Sequence, residues 1–594
     1  MGLPLIGETL SFLVTSKSID IHPFLNERLK RYGPLFKTSI AGQPVVVSSD
    51  ADFNYYVLQQ DGKLVDFYLM DSFSQLVHND NMNNLGGFFH KYLRRSILSH
   101  FGQEPLKRKL LSEFEVVINH ELHEWTNLPE VDVKRHTVPM LFDLTSQIVM
   151  GYKPEKNVAE ELNNMLLGIM RFPLYFPGTA FYKCIQKQRK GIRMASRVLE
   201  ERMKARSCNN YAEGCNKQGD LLDQIVGDIG KEEFLTKEFV PYLLFGLIVA
   251  TVETISPTIT LATMFLLENP SALQQLTEEH EEILKKRKDG TSGLAWEEYK
   301  SMTFTHYVIN ETLRMENILP GMLRKVIADI HVRGYTIPKD WILLVMPTAL
   351  HLNPNIYEDP LTFNPSRWKN IGSNAMAKNF IPFGGGNRHC TGAEFTKVLV
   401  AVYLHVWVTK FRLTKIKGGN VVRSPILEFT DGFYVKVSEK QSAIAANQIR
   451  CRNFRASFRF SVAVHMDSNR LGIGGILVSE RGVIRAIFSG PLLQNSLIHA
   501  GIVSIKIAML VFLEAGHFDK GKLIVEVGSQ SLTNWINNPL QRPWTWWKTL
   551  ADIDVLSSHC ESISFLFTPF PGNETAYWLA RDGANRSELF RAWW

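Results

Sequence analysis

The sequence predicts a mostly α-helical first domain with small β-sheets, followed by a separate α/β domain. Apolar residues recur three and four positions apart from Leu85 to about Leu284, which is the periodicity of helices. Strand-like patches in residues 1–60, such as PLFKTSI and QPVVVSS, indicate a small sheet before that helical region. After Glu439, strand-like segments such as FRFSVAVHM and KLIVEV alternate with helix-like ones, which is the pattern of an α/β unit.

A chain of 594 residues is too long for a single hydrophobic core. We therefore expect one domain over residues 1–440 and a second over residues 455–594. The segment KQSAIAANQIRCRN is polar and has neither the helical nor the strand period, which predicts a linker at 441–454.

Charge and cysteine content narrow the class of protein. A net charge of +7 favours docking to an acidic protein or membrane surface, and does not by itself indicate nucleic acid. The six cysteines lie far apart and form no CxxC pair. This argues against a disulfide scaffold and a zinc ribbon, and it fits a reducing compartment.

The most apolar window of the chain runs from Phe239 to Leu267. Its length would suffice for a membrane span, which is one interpretation. A carboxylate at its middle, Glu253, favours the other interpretation, a buried helix with a polar insertion. Pro257 is expected to interrupt the hydrogen bonds of this helix locally. The start, MGLPLIGETLSF, shows no signal peptide or membrane anchor.

The segment FGGGNRHCTG (383–392) places Cys390 in a glycine-rich turn. A thiolate that serves as axial ligand to a haem iron needs backbone N–H groups aimed at its sulfur. Glycines such as Gly386 allow the backbone to approach that closely. The pattern therefore predicts Cys390 as a haem-iron ligand. The alternative is a buried cysteine that follows a flexible loop.

The pattern Phe-x-x-Gly-x-Arg-x-Cys-x-Gly is complete here and resembles the haem-thiolate loop of cytochromes P-450. The resemblance implies the cytochrome P-450 fold and haem b (iron protoporphyrin IX) as cofactor. It also implies that Arg388 points at a haem propionate and that Phe383 covers the sulfur. Thr391 stands where the family usually has an apolar residue, which concerns packing beneath the haem rather than ligation.

Glu311 and Arg314 share one face of the helix predicted for HYVINETLRM, and Arg367 follows in FNPSRW. The cytochrome P-450 pattern joins these three residues into a buried network behind the haem. Buried charges are costly unless all are paired, so such a network mainly fixes geometry. Taken alone, Glu311 and Arg314 would be an ordinary surface pair.

Three further basic residues match the family's contacts to the haem propionates. Arg324 lies in PGMLR, just after the same helix, and His90 and Arg94 lie upstream in FHKYLRRS. The alternative for His90 and Arg94 is a solvated helix face. Their assignment depends on the other motifs.

The segment AlaThrValGluThr (250–254) sets an acid and an alcohol in the middle of the apolar helix. Thr254 would hold the distal oxygen by a hydrogen bond, and Glu253 would relay protons from solvent. The alternative is that Thr254 bonds back to its own helix and Glu253 forms a salt bridge. The family more often has Gly or Ser where Thr251 stands.

Longer stretches, including SGLAWEEYKSMTFTHYVINETLR and FTKVLVAVYLHVWVTKFRLTKIKGGN, resemble the plant clan of brassinosteroid, sterol and triterpenoid oxidases, and family eighty-seven in particular. The resemblance implies a monooxygenase that acts on a sterol- or triterpenoid-like substrate, with O₂ and with electrons from NADPH through a reductase. It also implies the cytosolic face of the endoplasmic reticulum membrane. The start of this sequence lacks the family's N-terminal membrane helix. A cytoplasmic location with peripheral membrane association at most is therefore the alternative.

Residues 455–594 resemble the ribonuclease H-like module related to plant reverse transcriptases. An active member holds two metal ions with four carboxylates. Asp467 fits the first of them, whereas Gly501, Gly528 and Tyr577 stand where the pattern has Glu, Asp and Asp. We therefore expect no nuclease activity. Weak nucleic-acid contact is one remaining role, and an appendage that binds nothing is the other. For the whole chain, the alternative function is a non-catalytic fusion or gene-model product whose second domain contacts nucleic acid.

Overall fold

The computed structural model divides into two compact units, Met1–Lys440 and Gln441–Trp594. The predicted linker 441–454 lies outside the described residues. The described residues are 7–69, 87–154, 158–159, 162, 165–170, 174–207, 220–287, 293–423, 426–440, 456–467, 470–479, 483–492, 496–514, 521–539, 542–543, 546–558, 562–568 and 573–593.

Helices dominate the first unit, as its apolar periodicity predicts. In chain order they are α1 (Thr9–Phe12), α2 (Pro23–Tyr32), α3 (Ala51–Leu58), α4 (Gly87–Phe101), α5 (Gln103–Pro105), α6 (Leu111–Thr126), α7 (Val133–Met150), α8 (Met165–Met170), α9 (Ala180–Ser207), α10 (Leu221–Asp228), α11 (Val240–Glu268), α12 (Pro270–Lys286), α13 (Trp296–Ser301), α14 (Thr303–Glu316), α15 (Pro347–His351), α16 (Ser373–Asn379) and α17 (Ala393–Lys410).

The strands of the first unit form small sheets. They are β1 (Leu35–Ile40), β2 (Gln43–Ser48), β3 (Val65–Phe67), β4 (Val131–Asp132), β5 (Met322–Val326), β6 (Ile330–Val332), β7 (Tyr335–Ile337), β8 (Ile342–Val345), β9 (Phe411–Gly418), β10 (Val421–Arg423), β11 (Leu427–Phe429) and β12 (Phe433–Glu439). The largest sheet has the order β1-β2-β8-β5-β3, and only its β2–β8 pair is parallel. A second sheet has the order β4-β12-β9. The sheet predicted within residues 1–60 is therefore part of a larger one.

Helix α11 is the core helix of the first unit. It packs against α7, α9, α14 and α17, and most of its side chains from Ile255 to Leu266 are fully buried. In the described part of the chain, α11 has the length and apolar composition of a membrane span. Its burial inside the unit accounts for that composition. The helix runs without a break through Pro257, so the expected interruption is limited to the one N–H that proline lacks.

Two helices and a loop bring together the motifs that the sequence analysis identified. Helix α14 carries Glu311 and Arg314, and it packs against a 3₁₀ turn at Pro365–Asn370 that carries Arg367. Helix α17 follows the cysteine loop directly and also packs on α14. Because α14 contacts α11 as well, all these segments are fixed to one core.

The second unit is an α/β fold with one mixed sheet. Its strands are β13 (Ala456–Asp467), β14 (Arg470–Ser479), β15 (Ile484–Leu492), β16 (Gly521–Val527), β17 (Ser562–Phe567) and β18 (Phe590–Trp593), and its helices are α18 (Leu497–Glu514), α19 (Gln530–Asn537), α20 (Trp547–Ser558) and α21 (Glu574–Gly583). The strand order is β17-β16-β13-β14-β15-β18, with β16 parallel to both of its neighbours. A separate hydrophobic core lies under this sheet.

One carboxylate of the first core titrates far from its ordinary range. Glu316, at the end of α14, is 1% exposed, and burial raises its pKa to about 8. Its Oε2 accepts a hydrogen bond of 2.8 Å from the Thr258 hydroxyl. The folded state therefore binds this proton more tightly than the unfolded chain. The resulting stabilisation is present below the ordinary pKa of 4.5 and is lost as the pH rises through about 8.

We predict that Glu316→Gln removes this part of the pH dependence. Between about pH 5.5 and about pH 8.5, the Tm of the first unit should fall more steeply in the native chain than in the variant, because only the native chain must ionise a buried group. Calorimetry over that range measures both slopes. Glu268→Gln, at a surface pair with Lys415, is the matched control and should follow the native curve. Parallel curves for the native chain and Glu316→Gln would refute the prediction.

Candidate active site

The cysteine loop owes its shape to two glycines in the left-handed region. Gly384 has φ 74° and Gly386 has φ 61°. A Cβ at Gly386 would lie 2.0 Å from the Leu58 carbonyl oxygen at the end of α3, so no other residue fits there. The Cys390 N–H donates to the Phe383 carbonyl over 2.9 Å and closes the loop. The backbone of this turn therefore has one conformation, which carries Cys390 to the start of α17.

The Cys390 thiol lies in a recess. Its surface is open to solvent, yet enough protein surrounds it that burial raises the pKa of the thiol, against smaller lowering effects of the Gly392 N–H and Arg94. A group on the wall of a hollow has both an accessible surface and a raised pKa. A thiolate at this place needs a nearby positive charge to be stable.

A buried network of charges lies on the other side of the loop. Both Glu311 and Arg314 are 0% exposed, and Arg314 donates twice to the Glu311 carboxylate, over 2.8 and 2.9 Å. The Arg367 Nε and the Trp368 indole N–H donate to the same carboxylate, over 2.9 and 3.0 Å. The sequence predicted the first three members of this set, and the structure brings them together. With every oxygen of Glu311 bonded, the desolvation of its charge is compensated.

His351 connects this network to the cysteine loop. The Arg314 Nη1 donates to the His351 carbonyl over 2.7 Å. The imidazole Nε2 accepts the Ile381 N–H over 3.0 Å, two residues before the loop begins. Its Nδ1 lies 2.8 Å from the Asn317 side-chain oxygen and so donates to it. Burial and the charge of Arg314 lower the pKa of His351 to about 3, which keeps the ring neutral with Nε2 free to accept.

Basic side chains gather beside the recess. Arg324, on β5, is 5% exposed, and its Nε is buried with no partner among the described residues. Burial, with the charge of Arg388 as a smaller contribution, lowers the pKa of Arg324. Arg94 donates to the His389 carbonyl over 2.6 Å. Burial lowers the pKa of His90, and the charges of Arg388 and Arg94 lower it further, against a raising effect of Asp61.

Arg388 has partners that the sequence analysis did not foresee. Its Nε lies 3.0 Å from the Asp61 carboxylate, and its Nη2 lies 3.4 Å from that of Asp66. These two carboxylates hold the guanidinium beside Arg324. The sequence analysis predicted that Arg388 points at a haem propionate. In the structure, its guanidinium forms ion pairs with Asp61 and Asp66.

The basic cluster and the thiol together fit a haem. A buried guanidinium with an unpaired Nε has the chemistry to bind a carboxylate, and a haem carries two as propionates. A single thiol on the wall of the neighbouring recess has the chemistry to bind its iron. We conclude that the donor set of this recess suits the group.

Helix α11 has one exposed face, which lies next to the predicted acid–alcohol pair of Glu253 and Thr254. Gly246 and Ala250 are exposed although the helix is otherwise largely buried, and Thr254 continues this row at the same spacing of four. Apart from its chain neighbours and the adjoining helix backbone, no described atom lies within 4 Å of a Cβ built at Gly246. The Thr254 hydroxyl donates to the Ala250 carbonyl over 2.8 Å, and the Thr251 hydroxyl donates to that of Leu247 over 2.9 Å.

The Glu253 carboxylate is held by a hydrogen bond from another helix. Its Oε1 accepts the N–H of Met165, the first residue of α8, over 2.9 Å. The salt bridge that was the alternative from sequence is therefore replaced, at this oxygen, by a helix-terminal N–H. A carboxylate near the first turn of a helix is favourably placed. The structure thus shows Thr254 bonded within α11 and Glu253 bonded to α8, and both side chains are half-buried.

Some site residues were missed from the sequence. His351 and Asn317 bond to Arg314, and Trp368 bonds to Glu311, so all three contact predicted members of the buried network. A lone histidine or asparagine carries no signal of such a role, because its partners lie far away in the chain. Trp368 stands next to Arg367 in FNPSRW and could have been included on that ground.

In the second unit, three of the four positions predicted for metal ligands are described together with their side chains. Gly501, Gly528 and Tyr577 line one cavity, so the fold brings these positions together. The backbone of Asp467 ends β13, and its side chain lies outside the described residues. Among the described residues, no group of three or more His, Cys, Asp or Glu could hold a metal ion.

Comparison with known proteins agrees with this geometry. The cytochrome P-450 family profile matches residues 2–440, and the profile "Reverse transcriptase-like" matches residues 459–583. The resemblance of the second unit to a ribonuclease H-like module is thereby confirmed. Cytochrome P-450 87A3 of Oryza sativa subsp. japonica is 42% identical over 446 residues, which cover 74% of this chain and 85% of that protein.

Two further relatives are named as hydroxylases. A beta-amyrin 16-alpha-hydroxylase of Maesa lanceolata and a cucurbitadienol 11-hydroxylase of Siraitia grosvenorii are each 41% identical, covering 74% of this chain and 92% of each relative. Among solved structures, a retinoic acid bound cyanobacterial cytochrome P-450 (CYP120A1) superposes with a TM-score of 0.63 at 22% identity, covering 74% of this chain and 98% of that one. That structure supports the fold. The chain, with its second, ribonuclease H-like unit, belongs to the cytochrome P-450 family of monooxygenases.

Proposed function

We propose that this chain hydroxylates a sterol- or triterpenoid-like molecule, with haem bound through the Cys390 thiolate, O₂ as oxidant and electrons from an NADPH-dependent reductase. The observation that carries the proposal is the solvent-accessible Cys390 thiol, in a loop that follows Ile381, whose N–H bonds to His351 beside the buried charge network. When bound, the haem supplies the activation of oxygen, and its thiolate ligand favours cleavage of the oxygen–oxygen bond.

The first unit would hold the haem from two sides. Cys390 binds the iron, while Phe383 and the turn at Gly386 shape the loop around the sulfur. Arg324 offers its unpaired Nε to one propionate, which would satisfy a buried donor that otherwise costs free energy. Arg94 adds a positive charge on the same side, His90 adds a ring that is mostly neutral because its pKa is lowered, and Arg388 adds a guanidinium that is already paired with Asp61 and Asp66.

The substrate class is proposed from the names of the relatives and from the open face of α11. Two relatives are named for triterpenoid skeletons, beta-amyrin and cucurbitadienol. Other relatives are named as steroid and cholesterol hydroxylases, at 33–35% identity. The small residues Gly246 and Ala250 leave room beside α11, and an apolar polycyclic substrate would fill it.

Thr254 and Glu253 are proposed to handle protons at the reaction site. The Thr254 hydroxyl donates its proton to the Ala250 carbonyl, which leaves its oxygen able to accept a hydrogen bond. Glu253 lies next to it in the chain and would pass protons from solvent. The same residue is fixed by the Met165 N–H, which holds its carboxylate at one place.

Reductase docking and location are proposed from the family. The electron donor is an NADPH-dependent reductase, and the site of action is the cytosolic face of the endoplasmic reticulum. For the second unit we propose no nuclease activity, since Gly501, Gly528 and Tyr577 cannot replace three carboxylate ligands. A role in weak nucleic-acid contact rests on its reverse transcriptase-like resemblance alone.

Replacement of Cys390 by Ala should abolish the thiolate signature. The reduced native protein with carbon monoxide is expected to show a Soret band at about 450 nm, because a haem held through a thiolate would give this band. Cys390→Ala should lack that band. Cys184→Ala, at a buried cysteine in α9, is the control and should keep it. A folded, haem-loaded native sample without the band would refute the proposed ligand.

Replacement of Thr254 by Ala should uncouple oxygen use from product formation. Haem content and the carbon monoxide spectrum should stay as in the native chain, because neither depends on this alcohol. Product should fall by about 100-fold, the ordinary contribution of a placed proton donor. Oxygen consumption should continue, with the electrons recovered as hydrogen peroxide. Thr251→Ala is the matched control, and loss of coupling only in that variant would mean that the wrong threonine was assigned.

The nuclease prediction is checked with an RNA–DNA hybrid and Mg²⁺. The full chain should show no cleavage above background, since two metal ions need more carboxylates than this site offers. Asp467→Asn should behave in the same way. Cleavage that is present in the native chain and absent in Asp467→Asn would contradict the prediction.

A further inference from the structure

The Arg388 guanidinium has two carboxylate partners within the protein, and they differ in burial. Its Nε lies 3.0 Å from the Asp61 carboxylate, and its Nη2 lies 3.4 Å from that of Asp66. The Arg388 and Asp61 side chains are 9% and 11% exposed, whereas that of Asp66 is 46% exposed. Water and salt screen an exposed ion pair strongly and a nearly buried one much less. Asp61 is therefore the stronger counter-ion of Arg388.

The backbone holds Asp61 against the cysteine loop. The residue lies in the turn between α3 and β3, which includes Gly62 in the left-handed region (φ 76°). The end of α3 packs on the loop at Gly386, and β3 pairs with β5, which carries Arg324. The turn is thus fixed on both sides, between the loop that carries Arg388 and the strand that carries Arg324.

Five charged side chains around the recess lie close enough to act on one another, as the pKa shifts of Arg324 and His90 indicate: Arg94, Arg324, Arg388, Asp61 and Asp66. The His90 ring adds little charge at neutral pH, because burial lowers its pKa. Three arginines therefore face two carboxylates. This leaves one net positive charge for the two propionates of a haem.

A propionate that binds at Arg388 has to share the guanidinium with Asp61. A guanidinium has several N–H donors, so sharing is possible, but two carboxylates at one guanidinium repel each other. Arg324 differs from Arg388, because it forms no ion pair within the described part of the chain. Since Arg388 is nearly buried, its charge needs a counter-ion in the folded chain, and Asp61 supplies one.

We propose that Asp61 is a positioning residue that opposes haem binding: it holds Arg388 by an ion pair and competes with a propionate for that guanidinium. Its negative charge also stabilises the oxidised iron relative to the reduced iron, because the oxidised iron carries one more positive charge. The inference rests on the proposed haem binding and extends it to the turn before β3.

The first measurement is the rate at which haem leaves the full chain, with excess apomyoglobin as the acceptor. Asp61→Asn keeps the shape of the side chain and an oxygen that accepts the Arg388 Nε, but it removes the charge. Haem loss should slow by about three- to ten-fold, the effect of one charge at a partly buried site. Substitution of a residue with a purely structural role would speed haem loss, so the sign of the change decides between the two roles.

The reduction potential of the iron is the second readout. In a redox titration, the ratio of reduced to oxidised iron at a fixed potential should rise by about three- to ten-fold in Asp61→Asn. Asp61→Glu keeps the charge and should titrate like the native chain. Asp52→Asn, at an exposed pair with Lys378, is the matched control for the change in net charge and should also follow the native curve.

Two further variants test whether Asp61 acts at the Arg388 guanidinium. Arg388→Gln should lose haem faster than the native chain, because Asp61 is then left without its counter-ion beside the propionates. Adding Asp61→Asn to Arg388→Gln should slow the loss again. Asp66→Asn should shift both readouts in the same direction as Asp61→Asn but by a smaller factor, because water screens its charge.

The carbon monoxide band at about 450 nm separates this inference from the proposed function. A native chain without the band means that the proposed function is wrong, and the inference falls with it. Where the native chain and the variants show the band, faster haem loss or an unchanged potential in Asp61→Asn overturns the inference alone. Equal haem loss from Arg388→Gln and from the double variant overturns it as well.

Discussion

The Glu311 carboxylate is the centre on which the rest of the first unit depends. It is fully buried, and it accepts hydrogen bonds from Arg314, Arg367 and Trp368 on two separate segments of the chain. Removing a charge of this kind from water costs several kcal/mol, so it persists only while all its partners stay in place. The carboxylate therefore couples α14 to the segment before the cysteine loop. This buried network provides a fixed geometry rather than additional folding stability.

That geometry is passed to the loop through neutral hydrogen bonds. His351 takes a bond from Arg314 at its carbonyl and accepts the Ile381 N–H at its imidazole, so the charge network ends where the loop begins. Gly386 packs against the end of α3 and so fixes the other side of the turn. The Cys390 thiol is thereby held at the recess, next to basic groups whose positive charges repel one another. The unpaired Arg324 Nε is a buried donor that the proposed haem propionate would satisfy.

The sequence predicted the parts of this site that lie close together in a pattern. Glu311 and Arg314 are one helical turn apart, and the cysteine loop is continuous, so their spacing carries the information. His351 and Asp61 were missed because each acts through a partner that only the fold brings near; Asp61 is 327 positions from Arg388. The hydrogen bond of Glu253 to Met165 was missed for the same reason. In the second unit the absent carboxylates were visible in the sequence, whereas the cavity that these positions line required the packing.

The central claim is that the chain of bonds from Glu311 to Ile381 holds Cys390 in place to bind the iron. The most direct measurement is the carbon monoxide spectrum of His351→Leu, with the band at about 450 nm expressed per mole of bound haem. Leucine keeps the volume of the ring but cannot accept the Ile381 N–H, while His351→Gln retains an acceptor. The account predicts a reduced band in His351→Leu and a smaller reduction in His351→Gln. A full band per haem in a folded His351→Leu would contradict it.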